Sequence, residues 1–114
     1  VIIDPEREVT VTAGATQAIY TAISALIHEG DEVVVFTPAY DCYIPAIELA
    51  GGIPRVITLE YPDFKVDWEV VRKSCSSKTK AILINTPHNP SATVWSDEDL
   101  KQLEKCVAGT DIEV

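Results

Sequence analysis

Basic residues are scarce in this sequence. Nine Lys and Arg side chains stand against eighteen Asp and Glu, which leaves a formal net charge of −9 over 114 residues. Such a charge repels phosphate backbones and anionic membrane surfaces, so it disfavours binding to either. The sequence also lacks an apolar run long enough to cross a bilayer, and its amino terminus lacks the pattern of a secretory signal. We therefore expect a cytoplasmic protein whose partners include neither nucleic acid nor membrane.

Motifs that hold metals or nucleotides are missing as well. Cys42, Cys75 and Cys106 are widely separated and form no C-x-x-C pair, which argues against a zinc or redox site and favours reduced thiols. The phosphate loop G-x-x-x-x-G-K-[ST] and the dinucleotide sequence G-x-G-x-x-G are both absent. The sequence therefore predicts no metal site and none of these nucleotide-binding loops.

Short β-branched runs alternate with helical patterns along the whole chain. This alternation is typical of βαβ units and predicts an α/β fold with a parallel sheet. The predicted strands are residues 9–12, 32–36, 55–59 and 81–84. Helices are predicted between and after them: one with apolar residues from Ala18 to Ile27, one with Pro45 in its first turn, one capped by Asp67, and one opened by a capping box of Ser96 and Asp99.

The loops that follow the strands are the places to seek a site, because ligands of open α/β sheets bind at the carboxyl ends of the strands. The first such loop holds Ala13, Gly14, Ala15 and Thr16 and leads into a helix. Small residues let a ligand approach the backbone, and the free N–H groups of a helix start suit a phosphate. A simple helix cap is the alternative, and on this loop alone it is the more common case.

Two further loops carry candidate residues. Tyr40 follows the strand 32–36, where its ring could lie over a planar ligand or could pack in the core. Asn89 lies between His88 and Pro90 after the strand 81–84, where its amide could donate to a ligand oxygen. Asn-Pro is also a frequent turn, and in isolation the turn is the favoured interpretation.

Taken together and in order, four segments resemble the class I/II aminotransferases of fold type I, which use pyridoxal phosphate. They are TVTAGAT at residues 10–16, GDEV at 30–33, PAYDCY at 38–43 and NTPHNP at 85–90. The resemblance extends over essentially the whole chain, and the spacing between segments makes it specific. The segment TPHNPSATVW at 86–95 looks most like the methionine aminotransferase branch, near the kynurenine and glutamine transaminases.

The resemblance implies a role for each candidate residue. Gly14 would shape the turn, and Ala15 and Thr16 would bind the phosphate of pyridoxal phosphate through their N–H groups. Tyr40 would stack on the pyridine ring, and Asn89 would hydrogen-bond the phenolic oxygen. Bent proline turns in relatives also suggest cis peptide bonds before Pro38 and Pro90, the residues that aim these two side chains.

The chain departs from its relatives in the last segment. Many relatives have Asn-Pro-Thr-Gly where this chain has Asn-Pro-Ser91-Ala92, which indicates a subgroup rather than a lost site. His88 replaces an Asn that is common in relatives, and we expect it to pack in the loop rather than to act in catalysis.

The resemblance also implies which parts of such an enzyme this chain does not contain. The Schiff-base lysine, the aspartate on the pyridine nitrogen and the arginine that grips the substrate all lie further toward the carboxyl end in the family. The chain begins without Met, and residues 111–114 read as the start of another strand. We therefore expect residues 1–114 to be a partial large domain, in a three-layer α/β/α arrangement, without the small domain or the rest of the large domain.

The implied function is amino-group transfer between an amino acid and a 2-oxo acid, with methionine or another bulky apolar or aromatic amino acid as substrate. The intact parent is expected to be a homodimer, and this chain alone to be inactive, with no catalytic residue of its own. Two alternatives stay open: a pyridoxal-phosphate β-lyase acting on carbon–sulfur bonds, and a non-catalytic α/β binding module.

Overall fold

The computed structural model describes residues 2–114, and helices and strands alternate along them. The elements are α1 Ala15–Leu26, β1 Glu32–Thr37, α2 Tyr43–Leu49, β2 Ile53–Thr58, α3 Trp68–Ser74, β3 Thr79–Leu83 and α4 Asp97–Val107. The strands form one parallel sheet in the order β2-β1-β3. The predicted parallel α/β sheet is therefore confirmed.

The central strand β1 separates two apolar layers. Val33 and Val35 pack with buried residues of α1 and α2, whereas Val34 and Phe36 pack with buried residues of α3, α4 and the other strands. All four side chains are at most 5% exposed. Burying an apolar side chain of this size contributes about 1.5–3 kcal/mol, so β1 holds both layers to the sheet. The three-layer α/β/α arrangement is confirmed.

Two helices begin at the caps that the sequence predicts. The Asp67 carboxylate accepts hydrogen bonds from the N–H groups of Glu69 and Val70 at 2.9 and 3.3 Å. The Ser96 hydroxyl accepts from the Asp99 N–H at 3.2 Å, while the Asp99 carboxylate accepts from the Ser96 N–H at 2.9 Å. These local bonds fix the starts of α3 and α4.

The amino end of β1 is tied to its surroundings by a buried carboxylate. Glu32 is 3% exposed; Arg55 of β2 donates to its Oε1 at 2.5 Å, and Ser76 donates to its Oε2 at 2.7 Å. The hydrogen bonds from Arg55 and Ser76 lower the pKa of Glu32 and outweigh the opposing effect of burial. The cluster thus joins β1, β2 and the connection between α3 and β3.

The predicted strand at residues 9–12 is wrong. These residues have no regular structure, and Val9 and Val11 are 52% and 91% exposed. A strand needs a neighbour to take up its backbone N–H and C=O groups, and no strand within residues 2–114 lies beside this segment. The other three predicted strands are confirmed with boundary shifts of one or two residues.

The segment 111–114 makes a single parallel bridge to β3, between Glu113 and Ala81. The Ile82 N–H donates to the Glu113 carbonyl, and the Glu113 N–H donates to the Lys80 carbonyl, both at 2.9 Å. The predicted start of a strand is therefore present as one bridge on the edge of β3 away from β1.

Candidate functional site

The candidate residues lie in three loops, two of which follow the carboxyl ends of β1 and β3. Tyr40 comes three residues after Thr37, the last residue of β1, and Asn89 belongs to the loop between β3 and α4. The third loop leads into α1, which packs on the same face of the sheet as α2. The fold thus places these loops where an open α/β sheet binds its ligands.

Gly14 precedes α1 in a backbone conformation that only glycine adopts readily. Its φ is +92° and its ψ is 170°, which a side chain would strain. A Cβ atom built at Gly14 would meet no atom within 4 Å. The glycine is therefore required by the backbone turn, and the space in front of the turn is open.

The loop before α1 is held by side chains from both of its ends. The Thr12 hydroxyl donates to the Gly14 carbonyl at 3.0 Å, and the Gln17 amide oxygen accepts from the Ala13 N–H at 2.5 Å. The first hydrogen bond of the helix runs from the Ala18 N–H to the Gly14 carbonyl at 3.3 Å. These bonds fix the loop. The N–H groups of residues 15–17 come before the first intrahelical hydrogen bond and therefore have no partner within the helix.

The amino terminus of α1 is suited to an anion. No side chain caps it, and its first turn holds no acidic residue. The N–H groups of Ala15 and Thr16 are therefore free to donate, and the dipole of this 12-residue helix adds positive potential there. A phosphate matches both properties. The alternative for this loop, a simple side-chain cap, is absent from the structure.

Thr16 and Tyr40 bring two of the loops together. The Thr16 hydroxyl lies 3.1 Å from the Tyr40 hydroxyl, within hydrogen-bond distance. The Tyr40 ring packs edge-on against the Tyr43 ring, with 5.8 Å between their centroids. The hydroxyl and one edge of Tyr40 are thus fixed, and its ring is only half-buried.

Tyr43 is the buried neighbour on which Tyr40 rests. It is 8% exposed, and burial raises the pKa of its phenol, with smaller contributions from Cys42 and Tyr40. Burial also raises the pKa of the Cys42 thiol, and the charge of Asp41 adds to this. Neither group therefore ionises near neutral pH, and Cys42 is not an activated nucleophile.

The loop after β3 exposes Asn89 and buries His88. The Asn89 N–H donates to the Asn85 side-chain oxygen at 2.7 Å, which closes the turn around the exposed residue. His88 is 6% exposed, and its Nδ1 lies 2.6 Å from the Ser91 hydroxyl. Sequence reasoning missed Asn85 and Ser91, because the packing of the loop decides their contacts with Asn89 and His88.

A tight crevice below the loops connects Tyr43 with the loop after β3. It is lined by Phe36, Tyr43, Leu59, Leu83, Asn85, His88 and Trp95. The structure brings Thr16 and Tyr40 into direct contact, and Gly14 and Ala15 precede Thr16 in the same turn. Asn89 is linked to them only through its neighbours and the Tyr43 ring. The peptide bonds before Pro38 and Pro90 are both cis, as the sequence predicts, and so are those before Pro62 and Pro87.

Within residues 2–114, no group of three or more His, Cys, Asp or Glu side chains is arranged to hold a metal ion. None of the helices in this described range has the length and apolar composition that a membrane span requires. The three thiols are unpaired.

Comparison with known proteins assigns nearly the whole chain to one family. A family model described as aminotransferase class I and II matches residues 1–111. The methionine aminotransferase of Escherichia coli (strain K12) is 50% identical over 109 residues, which cover 96% of this chain and 28% of that protein. Kynurenine–oxoglutarate transaminase 3 of Homo sapiens is 40% identical over 109 residues, covering 87% of this chain and 24% of that protein.

Solved structures agree with the sequence matches. The Escherichia coli protein YbdL, whose crystal structure and reactivity identify a methionine aminotransferase function, superimposes with a TM-score of 0.93 at 50% identity, covering 96% of this chain and 29% of that one. The N-succinyldiaminopimelate aminotransferase of Mycobacterium tuberculosis gives a TM-score of 0.92 at 35% identity, covering 98% and 30%. The chain thus spans 24% to 30% of the length of these relatives, and it belongs to the class I and II aminotransferase family.

Proposed function

We propose that residues 1–114 form part of the large domain of a pyridoxal-phosphate-dependent aminotransferase and carry part of its cofactor pocket. The observation that carries this proposal is the open, uncapped start of α1, tied by the Thr16 hydroxyl to Tyr40 at 3.1 Å. A phosphate site and an aromatic ring are thereby adjacent, as a phosphorylated planar cofactor requires.

The phosphate contacts come from the backbone. The N–H groups of Ala15 and Thr16 donate to the phosphate, and the helix dipole stabilises its negative charge. Gly14 adopts the positive φ that the turn needs, and nothing lies within 4 Å of the place where a side chain would begin, so the turn leaves room for a ligand. The Thr16 hydroxyl is close enough to its own N–H to assist, and its contact with Tyr40 restricts its rotation.

The ring contacts come from Tyr40 and Asn89. Tyr40 offers a half-buried aromatic face that Tyr43 supports from one edge. Asn89 is exposed and its backbone is anchored to Asn85, so its side-chain amide is available to donate to the phenolic oxygen. When bound, pyridoxal phosphate supplies the conjugated ring that withdraws electrons from the substrate's reacting carbon.

This chain binds and orients the cofactor, but none of its lysines lies at the site. Besides the Tyr43 phenol, whose pKa burial raises, the buried polar or charged side chains of the described residues are Glu32, Thr79 and His88. Glu32 and Thr79 lie at the amino ends of β1 and β3, and His88 is hydrogen-bonded within its own loop. We infer that the chain alone is inactive and that the remaining catalytic groups belong to other parts of the parent enzyme.

The proposed reaction moves an amino group between an amino acid and a 2-oxo acid. Methionine is the first substrate to test, because a methionine aminotransferase is 50% identical to this chain; kynurenine, acted on by a second relative, is the next. We further propose that the parent enzyme is a homodimer in the cytoplasm, where the three free thiols would stay reduced.

The test uses the intact enzyme that contains this chain. Dialysis against pyridoxal phosphate should produce a protein with cofactor absorbance in the visible range, and incubation with methionine and a 2-oxo acid should yield the oxo acid of methionine. Release of a thiol instead would indicate a carbon–sulfur β-lyase. Absence of any cofactor uptake would contradict the proposal and favour a non-catalytic binding module.

A further inference from the structure

Apart from the Tyr43 phenol, His88 is the one buried polar side chain of the described residues that lies at the carboxyl ends of the strands. It is 6% exposed and shares its crevice with apolar side chains, among them Phe36, Leu59 and Leu83. An imidazole placed there costs free energy unless its nitrogens find partners. Its Nδ1 has such a partner in the Ser91 hydroxyl, 2.6 Å away.

Hydrogen bonds from the backbone and the ring of His88 close the turn that contains Asn89. The His88 N–H donates to the Thr93 carbonyl at 2.8 Å, and the His88 carbonyl accepts from the Ala92 N–H at 2.7 Å. Its Nδ1 lies 2.6 Å from the Ser91 hydroxyl, which lies 2.8 Å from the Thr93 hydroxyl. The backbone of His88 thus bonds Ala92 and Thr93, and its side chain bonds Ser91, so that His88 is tied to three consecutive residues across the turn.

Asn89 and His88 are adjacent in sequence and lie on opposite sides of this turn. The His88 ring points into the protein, whereas Asn89 is exposed at the surface of the loop. The Asn89 backbone is held from the other direction by the Asn85 side chain at 2.7 Å. A rotation of the peptide between His88 and Asn89 would therefore break bonds on both sides.

We propose that His88 is a positioning residue, which orients the Asn89 amide through its hydrogen bond to Ser91. The inference rests on the proposed function, because it assigns the support of one cofactor contact. His88 itself touches no cofactor atom in this scheme. Its ring anchors the inner side of the turn, and the rigid turn aims the Asn89 amide outward.

The experiment measures the absorbance of bound pyridoxal phosphate against pH in the intact holoenzyme. An amide that donates to the phenolic oxygen stabilises its ionised form, so a misaligned amide raises the titration midpoint. His88→Phe keeps an aromatic ring in the crevice and removes Nδ1. We expect an upward shift of about half a unit to one unit, because a misaligned amide loses part of its hydrogen bond to the ionised oxygen.

Two further variants separate positioning from a general loss of folding. Ser91→Ala removes the partner of Nδ1 with little change in volume, and it should shift the midpoint in the same direction and be non-additive with His88→Phe. In His88→Asn a polar atom is again bonded to Cγ, as Nδ1 is in His, so the midpoint should return close to the wild-type value. A purely structural role would lower the melting temperature in all variants without this pattern.

The deciding comparison is made in an Asn89→Ala background. Because His88 acts through Asn89, His88→Phe should cause no further shift there. Two outcomes would overturn the inference and leave the proposed function intact. One is an equal shift of the titration midpoint by His88→Phe in the wild-type and Asn89→Ala backgrounds. The other is a wild-type midpoint in His88→Phe although Asn89→Ala shifts it. A wild-type enzyme that takes up no pyridoxal phosphate would overturn both.

Discussion

The hydroxyl oxygens of Thr16 and Tyr40 lie 3.1 Å apart although the residues are 24 positions apart in sequence. Thr16 is in the first turn of α1, and Tyr40 is in the loop after β1. The contact therefore fixes the distance between the helix terminus that suits a phosphate and the ring that suits a planar ligand. It is the geometric basis for treating the two loops as one site.

Replacing Tyr40 by Ala in the intact enzyme should weaken cofactor binding roughly 2- to 12-fold, since an aromatic face over a planar ring contributes about 0.5–1.5 kcal/mol beyond burial. Tyr40→Phe keeps the ring and loses only the bond to Thr16, so its effect should be smaller. Equilibrium dialysis with pyridoxal phosphate measures both. Tyr61→Ala is the control, because Tyr61 is 83% exposed and lies outside the site; equal losses at both positions would reject the stacking role.

Gly14→Ala should weaken cofactor binding and lower stability together. The φ of +92° and ψ of 170° strain any side chain, by about 1–3 kcal/mol, and relief of that strain would move the phosphate-binding amides. Gly30→Ala is a matched control: Gly30 has a φ of +86° and equally open surroundings, but it precedes β1 at the opposite end of the sheet. Thermal melts and cofactor titration should show a stability loss in both variants and an affinity loss in Gly14→Ala alone.

Ala92→Gly should stabilise the intact enzyme. Ala92 has a φ of +60°, where a residue with a Cβ costs about 1–2 kcal/mol, more than the roughly 0.5–1 kcal/mol of backbone entropy that Gly adds. The expected net gain is about 0.5–1 kcal/mol. In contrast, Ala108→Gly, at a φ of −57°, should destabilise the protein. The melting temperature should rise for Ala92→Gly and fall for Ala108→Gly. A fall for both variants would contradict the prediction.

The features predicted correctly from the sequence depend on near neighbours in the chain. The capping box of Ser96 and Asp99 and the cap at Asp67 use partners two or three residues away, so their patterns are visible in sequence. The strand at residues 32–36 was predictable because a run of Val can be buried only inside a sheet. The segment 9–12 has a similar local pattern, but it lacks a neighbouring strand, and local pattern cannot reveal that.

The site was predictable only in part. Family motifs point to Gly14, Ala15, Thr16, Tyr40 and Asn89, and their roles toward the cofactor stay predictions. The contact between Thr16 and Tyr40 and the network from His88 to Ser91 and Thr93 depend on how loops pack. No sequence spacing specifies such contacts, because each is set by tertiary structure.

The stability of the intact enzyme should depend on the ionisation of Glu32 at acid pH. The folded-state pKa of Glu32 lies below its ordinary value of 4.5, first because Arg55 donates to it and then because Ser76 does. A lowered carboxyl pKa stabilises the fold fully above the ordinary value, and this stabilisation is lost as the pH falls through the lowered pKa. Glu32→Gln should therefore lower the melting temperature at pH 7 and reduce its further decline in acid.

The control for that measurement is Glu69→Gln. Glu69 also pairs with an arginine, Arg72, at 2.5 Å, but its side chain is 68% exposed, so solvent screens the pair. Melting curves from pH 7 down to pH 3 should be nearly unchanged for this variant. If the melting temperatures of Glu32→Gln and the wild type fell in parallel with pH, the cluster of Glu32, Arg55 and Ser76 would not be the cause of the acid dependence.

The last prediction concerns lysine. Amino-group transfer on pyridoxal phosphate needs a lysine that forms a Schiff base in the pocket, and no lysine of this chain is placed for it. Lys78 and Lys80 flank the start of β3, Lys73 lies on α3 beside Glu32, Lys65 pairs with Asp63 at 3.4 Å, and Lys101 and Lys105 are exposed on α4. Lys65 is in the loop between β2 and α3, and the other five are at the amino end of β3 or on helices of the opposite layer.

Borohydride reduction in the presence of pyridoxal phosphate, followed by peptide mapping, tests this placement. The intact enzyme should give one dominant labelled lysine outside residues 1–114, because the site needs an amine that these residues do not bring to it. The 114-residue chain alone should give only sparse labelling spread over exposed lysines and no amino-group transfer. A single stoichiometric label on Lys73, Lys78 or any other lysine of this chain would mean that the pocket lies elsewhere than at the α1 terminus and Tyr40.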